Sequence, residues 1–576
     1  MDALSAGPAR VVRVSGSLVE VDHLPGAAMF DVVALGPDGL PGEVVAIAGD
    51  RVTVQAYEGT GGLGPGAPAR SRQAPVSALL GPGLLGGVYD GLLRPLDAAG
   101  TWLTPGAMRP RTDPRRFGVI PSATVGKQVR PGDELAAVDG GPVRQIVLVP
   151  PGVAGRVEHL VAAGPCAADA VVATVGGVDV PLAQTWPVRR PRPCTERLDT
   201  AAALHTGQRV LDLLYPVARG SSASVPGGFG TGKTVLLQQI AKWCDAEVIV
   251  YVGCGERGNE MADVVAELQA LEDPRTGDPL ARRTVVVANT SNMPMMAREV
   301  SIYTGATVAE YFRDMGCHVV LIADSTSRWA EALREFASRS GAMPAEEGYP
   351  AGLASALAAF YERAGHVVTL GGRTGSVTIV GAVSPPGGDM TEPVTAHTQR
   401  FVRAVWTLDR DLAYARHYPA VAWSGSFSRD AAALGVWHAA EGDPLWAHRR
   451  GRALALLAEA DRLAALAELV GAGAMPGSER VVLLAGRLLR EGVLQQRATS
   501  PNDASCSAAK GAALLDAVLT VVDRCQARVD AGVPAGTVEE VDFGPLLRAA
   551  QETGPDDVEG VRRRQRDTVA GLEALR

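Results

Sequence analysis

VPGGFGTGKT, residues 225–234, contains a fit to G-x-x-x-x-G-K-[ST] over residues 227–234. Each position has a chemical reason. The glycines let the backbone curl until successive N–H groups face a phosphate chain, and the following helix adds its positive end. The candidate ATP-binding set is therefore Gly227, Gly228, Phe229, Gly230, Thr231, Gly232, Lys233, Thr234 and Val235. Lys233 is placed to reach the β- and γ-phosphates, and the Thr234 hydroxyl to ligate Mg²⁺. Upstream, SASV (222–225) predicts a strand end; downstream, TVLLQQIAKWC (234–244) has helical periodicity.

Further along, EVIVYVG (247–253), RTVVVAN (283–289) and CHVVLIAD (317–324) are continuous apolar runs, as expected of strands buried on both faces. Strands alternating with helices from about residue 200 predict a parallel sheet with crossover helices. Ligands bind at the C-terminal edge of such a sheet. Glu256, in CGERGNE, falls just past the end of its strand, where a carboxylate can orient a water for in-line attack on a γ-phosphate; the plainer alternative is a salt bridge to Arg257. Asp324 ends its strand as an aspartate that holds Mg²⁺ through the water shell does. Arg328, four residues on, either meets the γ-phosphate or forms an ordinary structural pair.

Towards the N-terminus, residues 9–58 read as short alternating strands with a hairpin turn at Gly49 and Asp50, which a small β-barrel would close. Residues 111–185 are again β-like and rich in Gly and Pro, a second β-domain inserted before the main one. A biotinyl-type carrier hairpin is rejected because Lys127 lacks the Met-Lys-Met setting. Past residue 435 the strands stop. RALALLAEADRLAALAELVG repeats its apolar residues at helical steps and ends on Gly471 as a C-cap. The basic run RRRQR (562–566) reads as a solvated helix face.

The whole chain has 576 residues, 47% of them hydrophobic and 20% charged, enough to bury a large core and to exclude wholesale disorder. No run approaches the roughly 18 uncharged apolar residues of a spanning helix, and the N-terminus lacks a basic-then-apolar signal. A cytoplasmic protein is expected. The net charge of −8 argues against nonspecific nucleic-acid binding. Seven scattered cysteines form no CxxC pair and no zinc spacing, so neither a disulfide framework nor a structural metal is expected. Only Lys127, Lys233, Lys242 and Lys510 are lysine; every other basic residue is arginine. A retained lysine therefore marks a candidate position where a compact ammonium is needed.

Taken together, GPGLLGGVYDGLLRPL (81–96), PVRRPRP (187–193), TGQRVLDLLYPVARG (206–220), YVGCGERGNEM (251–261), ADSTSRWAEALRE (323–335), EGYPAGLASALAAFYERAG (347–365), TIVGAVSPPGGDMTEPVT (378–395) and LAYARHYPAVAWSGSFS (412–428) are highly specific. Over nearly the whole chain they resemble the catalytic A (alpha) subunit of V-type, or V/A-type, rotary ATPases. The resemblance implies an N-terminal β-barrel at 1–75, a RecA-like α/β nucleotide domain at 76–110 and 186–435, an inserted bulge domain at 111–185 and an all-α domain at 436–576. It implies that Lys233 and Thr234 bind phosphate and metal, Glu256 is the catalytic glutamate, Arg257 a γ-phosphate arginine, Asp324 the metal-shell aspartate and Tyr418 the ring packed on adenine. Mg²⁺ with ATP or ADP is the implied cofactor. The implied partners are a noncatalytic B subunit that donates an arginine finger in an alternating hexameric ring, central and peripheral stalk subunits, and indirectly a membrane sector moving H⁺ or Na⁺. Nucleic acid is not among them, and the location is peripheral, at the cytoplasmic face of the membrane. Ala422, Val493 and Arg497 depart from the family pattern and put a loop hydrogen bond and an adenine-side contact in doubt.

Other classes fit less well. A noncatalytic ring subunit typically lacks an intact loop or the glutamate, whereas this chain keeps Lys233, Thr234 and Glu256. A Rho-type helicase needs a nucleic-acid-binding leading domain with aromatics and basic clusters. Secretion ATPases and the F-type beta subunit have phosphate loops much earlier in the chain, and the insert at 111–185 points away from them.

Overall fold

Alternating apolar and polar residues near the N-terminus build the first sheet, since their period of two sorts them onto opposite faces. In the computed structural model, which describes residues 9–96, 115–199, 201–273 and 275–575, six strands lie in a row. Their order is Arg10–Ser15, Leu18–Asp22, Arg51–Ala56, Leu40–Ala48, Asp31–Leu35 and Ala69–Pro75. Val11, Val19, Val21, Val33, Leu35, Val44, Val52 and Val54 form their core. Residues 49 and 50 are a two-residue hairpin turn, with Ala48 opposite Arg51 and Gly49 at φ +63°, a left-handed geometry that favours glycine. The sixth strand lies beyond the runs read from the sequence: ARSRQAP is polar and mostly exposed, so it carries no alternation.

The chain divides into two compact units. The first holds Met1–Asp199, Ala246–Val383 and Thr391–Phe401; the second holds Thr200–Asp245, Ser384–Met390 and Val402–Arg576. Residues 97–114, which the sequence reading splits between the nucleotide domain and the insert, lie outside the described residues. In the first unit the insert is two four-stranded antiparallel sheets sharing one core of Val119, Leu135, Val147, Val157, Val172, Val175 and Val180. Beyond it, parallel strands run in the order Thr374–Val383, His318–Asp324, Val248–Cys254, Thr284–Asn289 and Val88–Tyr89. The Val248–Cys254 and Thr284–Asn289 strands are buried throughout, which is why they read as unbroken apolar runs. The 20-residue helix Met295–Asp314 is almost wholly buried as well.

The PVRRPRP segment is explained in the same unit. Arg189 lies between Glu299 (2.6 Å) and Glu43 (3.2 Å), and Arg192 pairs with Asp314 at 2.7 Å. Arg363 pairs with Glu310 at 2.6 Å in the core. Buried forks against carboxylates are sites where arginine outperforms lysine.

In the second unit the strand Ser222–Pro226 runs parallel to Ala404–Val405 and leads through the phosphate loop into the helix Lys233–Trp243. Helices then dominate: Ala431–Ala440, Trp446–Val470, Gly477–Leu489, Ala508–Asp530 and Val558–Glu573. The apolar stripe of Trp446–Val470 buries Ala453, Leu457, Ala460 and Leu463, and Gly471 ends the helix at φ +84°. Arg564 and Arg566 of the basic run pair with Glu552 and Glu559. No helix among the described residues is long and apolar enough to cross a membrane.

Candidate functional site

The phosphate loop owes its path to its glycines. Gly230 and Gly232 have φ of +78° and +88°, so a side chain at either would strain the turn. At Gly227 a Cβ would come within 2.8 Å of both the Leu408 Cβ and the Thr231 Oγ1. The Thr231 hydroxyl donates to the Gly228 carbonyl at 2.9 Å and fastens the curl. Lys233 lies back along the loop, its ammonium donating to the carbonyls of Gly227 (2.6 Å) and Gly228 (2.9 Å). Thr234 and Val235 are exposed in the first turn of the helix, which carries no acidic residue there. Phe229 is exposed at the tip of the loop. The Tyr418 ring, 44% exposed, comes 3.7 Å from where a Cβ on Gly232 would sit. Its hydroxyl donates to the Ala413 carbonyl at 3.2 Å, which leaves the ring face open beside the loop.

In the other unit, register places Gly253 opposite Asp324, so the two acidic side chains come from adjacent strand ends. Gly255 follows at φ +76°, and a Cβ there would meet Arg328 at 2.8 Å and Arg298 at 3.0 Å. Its N–H donates to the Asn289 carbonyl (2.7 Å), and the Ser291 N–H donates to the Glu256 carbonyl (2.8 Å). The Glu256 carboxyl is thus presented on a bolted turn, partly buried. Burial first, then the negative charge of Asp324, pushes its pKa up to about 7, while Arg328 pulls it down. Asp324 is buried and accepts a 2.9 Å hydrogen bond from the Tyr251 hydroxyl.

Of the two plainer arginine readings, the structure lacks the Arg257–Glu256 salt bridge and has the ordinary pair at Arg328. Arg257 does not pair with Glu256; its side chain is 70% exposed and lies 3.5 Å from Glu260. Arg328 forms an ordinary pair with Glu331 at 3.1 Å and still acts on Glu256 electrostatically. Val493, one of the departures from the family pattern, is fully buried and accepts a bond from Arg209 through its carbonyl. Two residues escape the sequence reading: Tyr251, hidden inside an apolar run, and Arg298, on a helix with no motif. For Tyr251 the available signal is a hydroxyl-bearing residue in an otherwise aliphatic strand.

The fold and this loop define a P-loop protein of the ATP synthase alpha/beta type. Family models match in register: the ATP synthase alpha/beta nucleotide-binding domain over residues 207–428, the beta-barrel domain over 11–72, the barrel-sandwich domain over 111–189 and the C-terminal domain of V and A type ATP synthase over 436–537. The chain is 50% identical over 549 residues to a V-type ATP synthase alpha chain of Anaeromyxobacter dehalogenans, covering 94% of this chain and 95% of that protein. It is 46% identical over 545 residues to the corresponding A-type ATP synthase protein of Thermococcus onnurineus, covering 92% and 93%. An A-type counterpart in Methanospirillum hungatei is 46% identical over 531 residues, with 91% of each covered. The chain belongs to the family of V-type and A-type ATP synthase alpha chains.

Proposed function

We propose that this chain is the catalytic subunit of a rotary, ion-translocating ATPase or ATP synthase, peripheral at the cytoplasmic face of a membrane. One observation carries the catalytic reading: a glutamate, Glu256, stands partly buried on a hydrogen-bonded turn just past the end of a buried strand, next to the strand that ends in Asp324. A carboxylate held there can orient a water and take its proton. The second reading, a noncatalytic ring subunit, has no use for such a group.

The loop N–H groups from Gly227 to Val235 hold the phosphates, and Lys233 leaves the carbonyls of Gly227 and Gly228 to meet the β- and γ-oxygens. Glu256 orients water in line with the γ-phosphorus and takes its proton as the bond to ADP breaks; synthesis is the reverse path. Arg257, exposed and loosely paired, turns towards the γ-phosphate, while Arg328 limits how far the Glu256 pKa rises. Tyr418 gives a ring face to adenine. Hard oxygen donors suit Mg²⁺: the Thr234 hydroxyl would hold it and Asp324, steadied by Tyr251, would do so through its water shell, where the ion would supply positive charge against the phosphates.

The partners follow the same reading: a noncatalytic B subunit in an alternating hexameric ring, stalk subunits, and a membrane sector for H⁺ or Na⁺. We assign the barrel to 1–75, the nucleotide domain to 76–110 and 186–435, the insert to 111–185 and the helical domain to 436–576. An arginine finger supplied in trans contributes about 10³–10⁵ in rate. At equal site concentration, turnover of the purified chain should therefore rise by orders of magnitude on reconstitution with the B subunit. Equal rates would place the finger within this chain and end the heteromeric reading.

A further inference from the structure

The loop that carries Tyr418 is tied to a buried polar node that no phosphate or metal role explains. Arg209 opens the helix Arg209–Leu214 and is 1% exposed. Its Nη1 donates to Asp503 (2.6 Å), its Nε to the Val493 carbonyl (2.6 Å) and its backbone N–H to the Gln496 side-chain oxygen (2.8 Å). The other Asp503 oxygen accepts the Arg497 N–H at 2.8 Å, and Asp503 is itself fully buried. The Gln496 side-chain nitrogen donates to the Gly207 carbonyl at 2.8 Å. The turn at residues 493–497 is thereby held at the Val493 carbonyl, the Gln496 side chain and the Arg497 N–H.

From this fixed turn two bonds reach the Tyr418 loop. The Gln496 N–H donates to the Tyr418 carbonyl (2.8 Å), and the Gln495 side chain donates to the Arg416 carbonyl (3.2 Å). Arg416 has a φ of +57°, a conformation disfavoured for a residue with a side chain, so the loop needs such outside support. Gly207, which the node holds, packs so closely on Trp243 at the end of the phosphate-loop helix that a Cβ would come within 2.8 Å of it. One node therefore touches both the base of that helix and the Tyr418 loop.

We propose that Arg209, Asp503, Gln495 and Gln496 are positioning residues for the nucleotide base: they set the Tyr418 ring at its distance from Gly232 and so tune affinity for the purine. The inference rests on the reading that Tyr418 stacks on adenine. Losing a single net hydrogen bond at the Gln495–Arg416 tether lowers affinity roughly threefold to tenfold. The whole effect falls on the base and none on the triphosphate.

The test measures binding of ATP and of inorganic tripolyphosphate, which has no base, to the full-length chain, with KM and kcat of the assembled complex. Gln495→Ala, at a partly exposed position, should weaken ATP binding severalfold and raise KM, with kcat and tripolyphosphate affinity kept. Asp503→Asn should do the same more strongly; because it leaves Arg209 buried and unpaired, Gln495→Ala is the variant that decides if it does not fold. In a Tyr418→Ala background, Gln495→Ala should add nothing further. If Tyr418→Ala weakens ATP binding and Gln495→Ala does not, the positioning inference is overturned and the stacking reading stands. If Tyr418→Ala leaves ATP binding unchanged, the stacking reading itself fails. Equal losses for ATP and tripolyphosphate would mean general damage to the loop and would also overturn the inference.

Discussion

Replacing Lys510 tests why so few lysines survive in this sequence. Lys510 lies in the first turn of the helix Ala508–Asp530 and is fully buried, yet its ammonium has three acceptors: the carbonyls of Asn502 (3.0 Å), Ala550 (2.9 Å) and Thr553 (3.0 Å). Three donors on one small head meet three carbonyls converging on one point, which a planar guanidinium cannot copy. Lys510→Met keeps most of the packing and strips the donors. Each orphaned buried carbonyl costs about 1–3 kcal/mol. Taking the low end for all three, and allowing for the relief of no longer burying an ammonium, gives a net loss of about 2–3 kcal/mol. Lys510→Arg adds overpacking of about 1–3 kcal/mol instead. Amide hydrogen exchange should report this locally, with protection around residues 549–553 falling roughly 30- to 150-fold in Lys510→Met, as about 2–3 kcal/mol requires. If Lys510→Arg keeps wild-type protection, the three-carbonyl account of this lysine is wrong.

Three further outcomes are expected. Lys233→Arg should lose most ATP hydrolysis in the assembled complex, despite the tolerance of arginine elsewhere; retained turnover would make the scarcity of lysine mere background. Burial, then Arg490, holds the His417 imidazole down to about 4 from its ordinary 6.5, so it is neutral in the native state. Stability from this group is complete above about pH 6.5 and falls as the unfolded chain takes up protons below it, by about 2 kcal/mol between pH 7 and pH 5. His417→Gln should remove that part of the acid sensitivity, read as a smaller shift of the denaturation midpoint than in wild type. Tyr251→Phe should lower kcat more than it weakens ATP binding, because it frees the Asp324 carboxyl from its 2.9 Å hydroxyl bond; a change in binding alone would give Tyr251 a purely structural part.

The α/β class was legible because three buried strands left unbroken apolar runs and the loop between strand and helix needs glycine for stated reasons. Glu256 and Asp324 were legible from their offsets to those strands. Pair partners were not: whether Arg257 meets Glu256 or Glu260, and Arg328 Glu331, depends on side-chain direction at a turn, which no spacing encodes. Nor was the Arg209–Asp503 node, whose partners lie 294 positions apart. Lys510 falls between these cases. Its rarity marked it, but only the three carbonyls gathered from separate segments say what the ammonium does.

The claim most exposed to a single measurement is that Glu256 performs the chemical step. In the complex assembled with Glu256→Gln, single-turnover hydrolysis of bound ATP should fall by at least about 10²–10⁴, with Mg-ATP affinity close to wild type. The amide keeps the size of the side chain and loses the basicity. A variant that retains half the wild-type turnover would contradict the account and remove Glu256 from the mechanism.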